Sequence, residues 1–271
     1  MKVMSDFTHK FGFIGMGNMG YAILKGLLLA YEPEKITFSA RNREKMEDVS
    51  AKTGVVPSKD NRACAAGAEY IILAVKPQQF DKVTAEIREA VKPQQIVISI
   101  APGITIADLK EKLGEDTRIV RAMPNTPALV GEGMTGVCYE DALFTGPEKD
   151  TIQAFFESFG KMVLVEEKLI NAVVCASGSS PAFIYVMIEA LADGAVKYGL
   201  PRAAAYEMVA QTVLGSAKMV LETGEHPGIL KDQVCSPGGT TIAGISALEE
   251  CGFRSALIKA CDACYDKCTH I

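Results

Sequence analysis

The chain has 271 residues, enough for two ordinary domains. Its net charge of −5 and lack of a basic block exclude the surface expected of a nucleic-acid or anionic-membrane binder. Residues 1–9 contain no signal-peptide core, and we expect no apolar run of membrane-spanning length, because Lys25 interrupts the longest early candidate. We therefore expect a cytoplasmic protein that contacts neither nucleic acid nor a membrane.

Short β-branched runs alternate with helical stretches through the first 165 residues. This alternation predicts an α/β fold with a doubly wound parallel sheet. The runs at 71–75 and 96–100 are continuously apolar, as in strands that helices cover on both faces. Helices are predicted to begin near Asn18, Asn42, Pro77, Thr105 and Pro147. The predicted strands lie at 12–14, 36–39, 70–75, 95–100, 118–123, 136–139 and 162–165.

The first predicted strand leads directly into a G-x-G-x-x-G motif that opens a helix. A dinucleotide-binding motif requires this strand–turn–helix context, although any tight β-to-α turn also needs some glycine. In a dinucleotide site, Gly15 forms the tight turn, Gly17 admits the pyrophosphate and Gly20 lets the helix pack on the strand.

The loop after the second predicted strand bears on the choice of cofactor. An NAD site usually offers Asp or Glu to the ribose there, but residues 39–43 contain no acid. The hydroxyl of Ser39 and the guanidinium groups of Arg41 and Arg43 suit a 2′-phosphate instead. We therefore expect a preference for NADPH, with NADH as the alternative cofactor. The other interpretation is a solvated surface loop whose arginine side chains contact no cofactor.

Two other predicted strand ends carry candidate contacts. Lys76 follows an apolar run and precedes a Pro-initiated helix, so it faces either a cofactor or the solvent. Asn125 lies between two prolines in a rigid loop. This position suits contact with a substrate or nicotinamide, or capping of its own turn.

The character of the sequence changes near residue 165. Strand patterns stop, and helical stretches rich in Ala, Met and Leu follow at 167–198, 201–222, 240–250 and 253–268. We predict a dinucleotide-binding domain over 1–165 and a helical domain over 166–271. Residues 177–181 interrupt the first long helix, which indicates a functional break or a kink. Small residues within 190–195 allow close helix packing, inside the domain or across a dimer.

The segment 236–241, Ser-Pro-Gly-Gly-Thr-Thr, predicts a tight turn followed by a helix N-terminus. Exposed N–H groups and the helix dipole make such a terminus suitable for an anion. The alternative is an ordinary capped helix start, which seldom needs both Gly238 and Gly239.

The eight cysteines occur without a secretion signal, so we expect reduced thiols. Cys261, Cys264 and Cys268 share a predicted helix face near His270. This spacing also fits a small buried stripe, and no metal is expected. The histidines occupy no recognisable nucleophile setting, so the pattern does not favour a hydrolase.

Taken together, these motifs resemble those of the pyrroline-5-carboxylate reductase family over nearly the whole chain. Ser180 stands where many members have Gly, and Cys235 where many have Ser, but neither change removes a group that the chemistry needs. The resemblance is carried by residues 12–20, 74–77, 123–127, 177–182, 226–228 and 236–242, of which the last segment is the most specific.

The resemblance implies a Rossmann domain, a helical dimerisation domain and dimers that often form pentamers of dimers. It implies reduction of 1-pyrroline-5-carboxylate to L-proline by NAD(P)H, with Thr241 as the catalytic side chain near the ring nitrogen. Substrate contacts would come from Gly238, Gly239, Thr240, Thr241 and Glu167. With Arg41 and Asn125 added, the predicted cofactor contacts are Gly15, Met16, Gly17, Asn18, Met19, Gly20, Ser39, Arg41, Asn61, Ala74, Val75, Lys76, Pro77 and Asn125.

Alternative functions stay open at this point. A β-hydroxyacid dehydrogenase opens with a similar glycine motif, but it carries a catalytic Lys on a helix soon after a Gly-rich turn, and no Lys follows Gly178 there. Another imine-reducing oxidoreductase would share the cofactor motif. A dinucleotide-sensing regulator would bind NADPH without oxidising it.

Overall fold

The computed structural model describes residues 7–269, and within them seven strands form one sheet. Every predicted strand is present. The strands are β1 (His9–Ile14), β2 (Ile36–Ser39), β3 (Ala68–Leu73), β4 (Ile96–Ser99), β5 (Arg118–Met123), β6 (Gly133–Tyr139) and β7 (Gly160–Leu164). Their order across the sheet is β2-β1-β3-β4-β5-β6-β7.

The predicted parallel sheet is present, with one antiparallel pair of strands. Strands β5 and β6 run antiparallel, with Arg121 opposite Cys138. Only a short connection, containing the 3₁₀ turn Thr126–Val130, separates these strands. It is too short for the crossover that a parallel pair requires, so the chain reverses direction.

The helices α1 to α7 accompany the sheet, and apolar residues alternate between its two faces. In β3, Tyr70 and Ile72 join one buried cluster while Ile71 and Leu73 join the other. Both faces of the sheet are therefore covered, as the continuous apolar runs predict. These helices are α1 (Asn18–Leu27), α2 (Arg43–Thr53), α3 (Asn61–Gly67), α4 (Phe80–Ile87), α5 (Ile106–Leu113), α6 (Gly146–Glu157) and α7 (Ile170–Val173).

Helix α3 was not predicted, because its short run of Ala, Cys and Gly has no clear apolar periodicity. Its start is nevertheless well defined, since the Asp60 side chain accepts a hydrogen bond from the Ala63 N–H at 2.7 Å. Such N-capping stabilises a helix typically by about 1 kcal/mol. The cap places Asn61 in the first turn.

The chain divides into two compact units. The first comprises the residues up to Ser179 together with those from Tyr265 onward, and the second spans Ser180–Cys264. The predicted domain boundary at 165 stays a prediction. A π-helical turn, Val174–Gly178, overlaps the first two residues of the break predicted at 177–181, just before the second unit. The later helices are α8 (Ser180–Lys197), α9 (Arg202–Thr223), α10 (Pro227–Val234), α11 (Thr240–Glu250) and α12 (Phe253–Thr269).

Helix α10 was also not predicted, because it begins at a Pro-Gly pair, which is typical of a turn or loop. Pro227 occupies its first turn, where a missing N–H costs nothing. The His226 ring accepts a hydrogen bond from the Gly228 N–H at 3.0 Å and caps the helix.

The second unit buries very little of its apolar surface. Of its hydrophobic residues only Ala192 and Ala205 are fully buried, while Val186 is 64% and Leu221 67% exposed. Because a folded single chain rarely leaves so many large apolar side chains of one unit exposed, these side chains indicate an interface.

One helical stretch bears on the membrane prediction. The stretch Glu167–Lys197 is long and apolar enough to cross a membrane by length and composition, contrary to the expectation that no apolar run reaches that length. An interface helix between copies of a soluble protein meets the same two criteria. Length and composition are therefore weak evidence for a membrane span here.

Candidate active site

The glycine motif (residues 15–20) connects β1 to α1 in the conformation that a dinucleotide site requires. Gly15 has φ +95°, and its N–H donates to the Ser39 carbonyl at 2.9 Å. A Cβ at residue 15 would lie 2.6 Å from the Ala74 carbonyl oxygen. Only glycine fits this turn between three strand ends.

Gly17 differs from Gly15 because, apart from its two chain neighbours, no described residue has an atom within 4 Å of its Cβ position. It is the N-cap residue of α1, and its lack of a side chain leaves the first N–H groups of the helix open. Such an N-terminus binds phosphate. A Cβ on Gly20, by contrast, would approach the Gly15 carbonyl oxygen to 3.0 Å, consistent with close packing of α1 on the turn.

A cleft of about 300 Å³ lies beside the glycine motif at the carboxyl ends of β1, β2 and β3. This edge of a parallel sheet is where dinucleotides bind. Four cationic side chains and one carboxylate face the cleft. Its lining is formed by Gly15, Met16, Gly17, Ala40, Arg41, Asn42, Lys45, Asn61, Ala74, Val75, Lys76, Gln79, Lys82, Val83 and Glu86.

Many predicted cofactor residues line this cleft, among them Arg41, Asn61 and Lys76. Others do not belong to the lining. Asn18, Met19 and Gly20 form the first turn of α1, and Pro77 begins a 3₁₀ turn. Their contact with a cofactor stays a prediction, as does that of the residues in the lining.

The charges in the cleft are largely uncompensated. Among the ion pairs of residues 7–269, none involves Arg41, Lys45 or Lys76. Arg43, just beside them, pairs with Glu47 at 3.2 Å. An unpaired guanidinium at the end of β2 suits a phosphate group, so the residues present fit a phosphorylated dinucleotide.

A chain of hydrogen bonds runs from the end of β2 to α4. The Ser39 hydroxyl donates to Asn61 Oδ1 at 2.7 Å, and Asn61 Nδ2 donates to Glu86 Oε2 at 2.7 Å. Ser39 is only 2% exposed and lies outside the lining, so its hydrogen bond holds the Asn61 side chain from the buried side. Sequence reasoning missed Glu86, because nothing local links it to residues 25 positions earlier.

Asn125 makes two structural hydrogen bonds. Its Nδ2 donates to the Ser177 carbonyl at 3.0 Å, and its Oδ1 accepts from the Met134 N–H at 2.9 Å. The side chain is buried and ties the loop after β5 to β6 and to the π turn. A cofactor contact by Asn125 stays a prediction.

Glu167 also has defined partners within its own unit. Its Oε1 accepts from the Ile106 N–H at 2.7 Å and from Arg121 Nη1 at 2.9 Å. The carboxylate thus provides a hydrogen-bond acceptor for the Ile106 N–H at the N-terminus of α5. Arg121, its other partner, is buried. Its predicted contact with substrate is untested. An arginine within the apolar strand β5 was the available sequence signal for a buried ion pair.

Cys138 lies opposite Arg121 in the sheet. Burial raises the pKa of its thiol to about 11, and the negative charge of Glu167 acts in the same direction. The thiol is therefore protonated at neutral pH and has little nucleophilic character.

The segment 236–241, here the Gly-Gly turn, forms the turn and helix start that its residues predict. Gly238 has φ +67°, and the Gly239 N–H donates to the Ser236 carbonyl at 3.0 Å. Gly239 is the N-cap of α11 and provides no side-chain cap, so the first N–H groups of α11 are available to an anion. Thr240 is exposed and Thr241 half-buried in the single chain.

No group of three potential metal ligands occurs among residues 7–269. His270, which completes the cysteine-rich motif of the sequence, lies outside the described residues.

Comparison with known proteins decides the family. Residues 167–271 match the family model described as pyrroline-5-carboxylate reductase dimerisation, and residues 10–103 match one described as NADP oxidoreductase, coenzyme F420-dependent. The pyrroline-5-carboxylate reductase of Escherichia coli is 47% identical over 260 residues, which cover 95% of this chain and 96% of that protein. The chain belongs to the pyrroline-5-carboxylate reductase family.

Two solved reductase structures agree with this assignment. The enzyme from Coxiella burnetii has a TM-score of 0.90 at 36% identity and covers 97% of this chain and 98% of its own. The Plasmodium falciparum pyrroline carboxylate reductase, solved with NADP bound, has a TM-score of 0.84 at 31% identity, with 96% and 97% covered.

Membership of the reductase family confirms the predicted combination of a Rossmann-type sheet and a helical dimerisation region. The match over residues 10–103 contains the glycine motif, and the match over residues 167–271 begins at Glu167 and contains the Gly-Gly turn. The β-hydroxyacid dehydrogenase and the non-enzymatic regulator are accordingly not favoured.

Proposed function

We infer that this reductase converts 1-pyrroline-5-carboxylate to L-proline, the last step of proline synthesis, using NADPH. The observation that carries the inference is the 47% identity to a pyrroline-5-carboxylate reductase across 95% of the chain. The cationic cleft beside the glycine motif supports the cofactor assignment, because it joins an open helix N-terminus to unpaired Arg41 and Lys45.

The residues of the cleft hold and orient the cofactor. The open N-terminus of α1 receives the pyrophosphate beside Gly17, and Arg41 and Lys45 neutralise the 2′-phosphate at the end of β2. When bound, NADPH supplies a hydride to the imine carbon.

The Gly-Gly turn holds the substrate in this proposal. The N–H groups at the start of α11 bind its carboxylate, and the Thr241 hydroxyl hydrogen-bonds at the ring nitrogen. A protonated iminium brings its own proton and is already electrophilic, so the chain needs no strong acid. Positioning of the ring supplies much of the rate.

The direct test is oxidation of NADPH in the presence of 1-pyrroline-5-carboxylate, followed by absorbance, with proline measured as product. We expect stoichiometric formation of proline. Tight NADPH binding without turnover of this imine would point to the regulator instead. Turnover of a 3-hydroxy acid, but not of the imine, would point to the dehydrogenase.

Arg41→Ala should lower kcat/KM with NADPH about tenfold while leaving kcat/KM with NADH nearly unchanged. The reason is loss of one charge-assisted contact to the 2′-phosphate. Arg43→Ala is the matched control, since Arg43 lies next to the cleft but pairs with Glu47. Equal effects of Arg41→Ala on both cofactors, or equal effects of the two variants, would contradict this assignment.

We propose that the exposed apolar surface of the second unit is covered by a further copy of the chain, in the cytoplasm, and not by a membrane. Residues 167–271 match a dimerisation model, and the apolar side chains of α8 and α9 are largely exposed in one copy. A decamer built from five such dimers is the larger assembly that we propose.

Light scattering at micromolar concentration, without detergent, should therefore give a dimer or a multiple of it. A charge in this surface, as in Val186→Glu, should weaken the assembly because the desolvated charge would lack a partner. The matched control Val56→Glu changes a residue that is 70% exposed in the sheet unit. An active monomer, or a wild-type protein that requires detergent to stay in solution, would refute the arrangement.

A further inference from the structure

The carboxylate of Glu86 is the acidic group in the cofactor cleft, and it comes from an unexpected element. It projects from α4 and accepts a hydrogen bond from Asn61 Nδ2 at 2.7 Å. Asn61 in turn is bonded to Ser39, at the end of β2. Since the end of β2 is where a Rossmann site contacts the adenosine ribose, this chain of three side chains lies at the ribose end of the cleft.

Glu86 alone determines which way the Asn61 amide faces. An ionised carboxylate only accepts hydrogen bonds, so the Nδ2 group of Asn61 must turn toward Glu86. Its Oδ1 then faces Ser39 and accepts a hydrogen bond from the single hydrogen of that hydroxyl. A serine hydroxyl can donate to the amide oxygen or accept from the amide nitrogen. Ser39 therefore does not select one orientation of the Asn61 side chain.

This arrangement supplies what the loop after β2 lacks. A ribose-binding carboxylate accepts a hydrogen bond from the 2′-hydroxyl of NADH and repels the 2′-phosphate of NADPH. Residues 39–43 contain no acid, yet Glu86 brings one to the same end of the cleft across the fold. The positive charges of Arg41 and Lys45, which also line the cleft, have the opposite effect and attract the 2′-phosphate of NADPH.

We propose that Glu86 is a cofactor-specificity residue that gives this cleft affinity for NADH and moderates the preference for NADPH set by Arg41. The proposal rests on the proposed use of a nicotinamide dinucleotide. Glu86 is 40% exposed and its Oε1 lies 3.9 Å from Lys82 Nζ, so solvent and the ammonium screen its charge. The effect is therefore graded and does not amount to an exclusive choice of cofactor.

The test measures the Kd for NADPH and for NADH by fluorescence titration of the full-length protein, with no substrate present. Glu86→Gln keeps the size of the side chain and an acceptor for Asn61 but removes the charge. We expect the ratio Kd(NADH)/Kd(NADPH) to rise about five- to tenfold. Glu86→Ala, which also releases Asn61, should shift the ratio in the same direction.

Glu89→Gln is the matched control, since Glu89 lies close by in sequence, pairs with Arg62 and does not line the cleft. An unchanged ratio in Glu86→Gln, a shift toward NADH, or an equal shift in Glu89→Gln would overturn the proposal. A wild-type protein that binds neither nucleotide would instead overturn the proposed function, so the two failures are distinguishable.

Discussion

Gly17→Val should leave the chain folded but raise the Kd for NADPH by about a hundredfold or more. Among residues 7–269, no atom outside the two chain neighbours of Gly17 lies within 4 Å of its Cβ position, so the fold has room for a side chain there. The isopropyl group would instead occupy the space in front of the first N–H groups of α1, where the pyrophosphate is proposed to bind. A hundredfold loss corresponds to about 2.7 kcal/mol of binding free energy.

Calorimetric titration with NADPH and thermal unfolding of the same samples separate these two effects. Gly67→Val is the matched control, because a Cβ there would meet only the His9 ring, at 3.7 Å, outside the cleft. Gly15→Ala should behave differently and destabilise the fold, since its Cβ would collide with the Ala74 carbonyl. Unchanged NADPH binding by Gly17→Val would show that the N-terminus of α1 is not part of the cofactor site.

Thr241→Val should lower kcat/KM for the imine by roughly ten- to a hundredfold, about 1–3 kcal/mol of transition-state stabilisation. The variant keeps the shape of the side chain and loses the hydroxyl that is proposed to face the ring nitrogen. The Kd for NADPH should not change, because the glycine motif is untouched. Steady-state kinetics together with NADPH titration measure both quantities.

Thr241→Ser restores the hydroxyl and should recover most of the activity lost in Thr241→Val. Full activity of Thr241→Val, or loss of NADPH binding in its place, would remove Thr241 from its role. A bulky residue at Gly239 is a poorer probe of the substrate site than Thr241→Val. Its Cβ would lie 2.3 Å from Ser236 Oγ, so the substitution would disturb the turn itself before it met a substrate.

Local patterns predicted the parts of the fold that local forces determine. The apolar runs in β3 and β4 are long enough and uniform enough to indicate strands covered on both faces. The glycine motif constrains backbone geometry directly, and Gly15 adopts the positive φ that its spacing implies. The same holds for Gly238 in the Gly-Gly turn, where the turn and the helix start at Thr240 were both anticipated.

What the sequence did not reveal depends on residues far apart in the chain. Glu86 contacts Asn61 and Arg121 contacts Glu167 only after the sheet has assembled, so no window of sequence contains either pair. Helices α3 and α10 were missed because each is short and lacks a clear apolar stripe. The direction of β6 follows from the length of a loop, which periodicity does not report.

The sparse core of the second unit has a consequence for stability. Because only Ala192 and Ala205 among its apolar residues are shielded within one copy, the helices α8 to α11 gain little free energy of folding from burial in an isolated chain. Most of that free energy must come from association, which couples folding of this unit to a bimolecular equilibrium. We therefore expect the melting temperature of the reductase to rise with protein concentration, and the helical unit to unfold before the sheet on dilution.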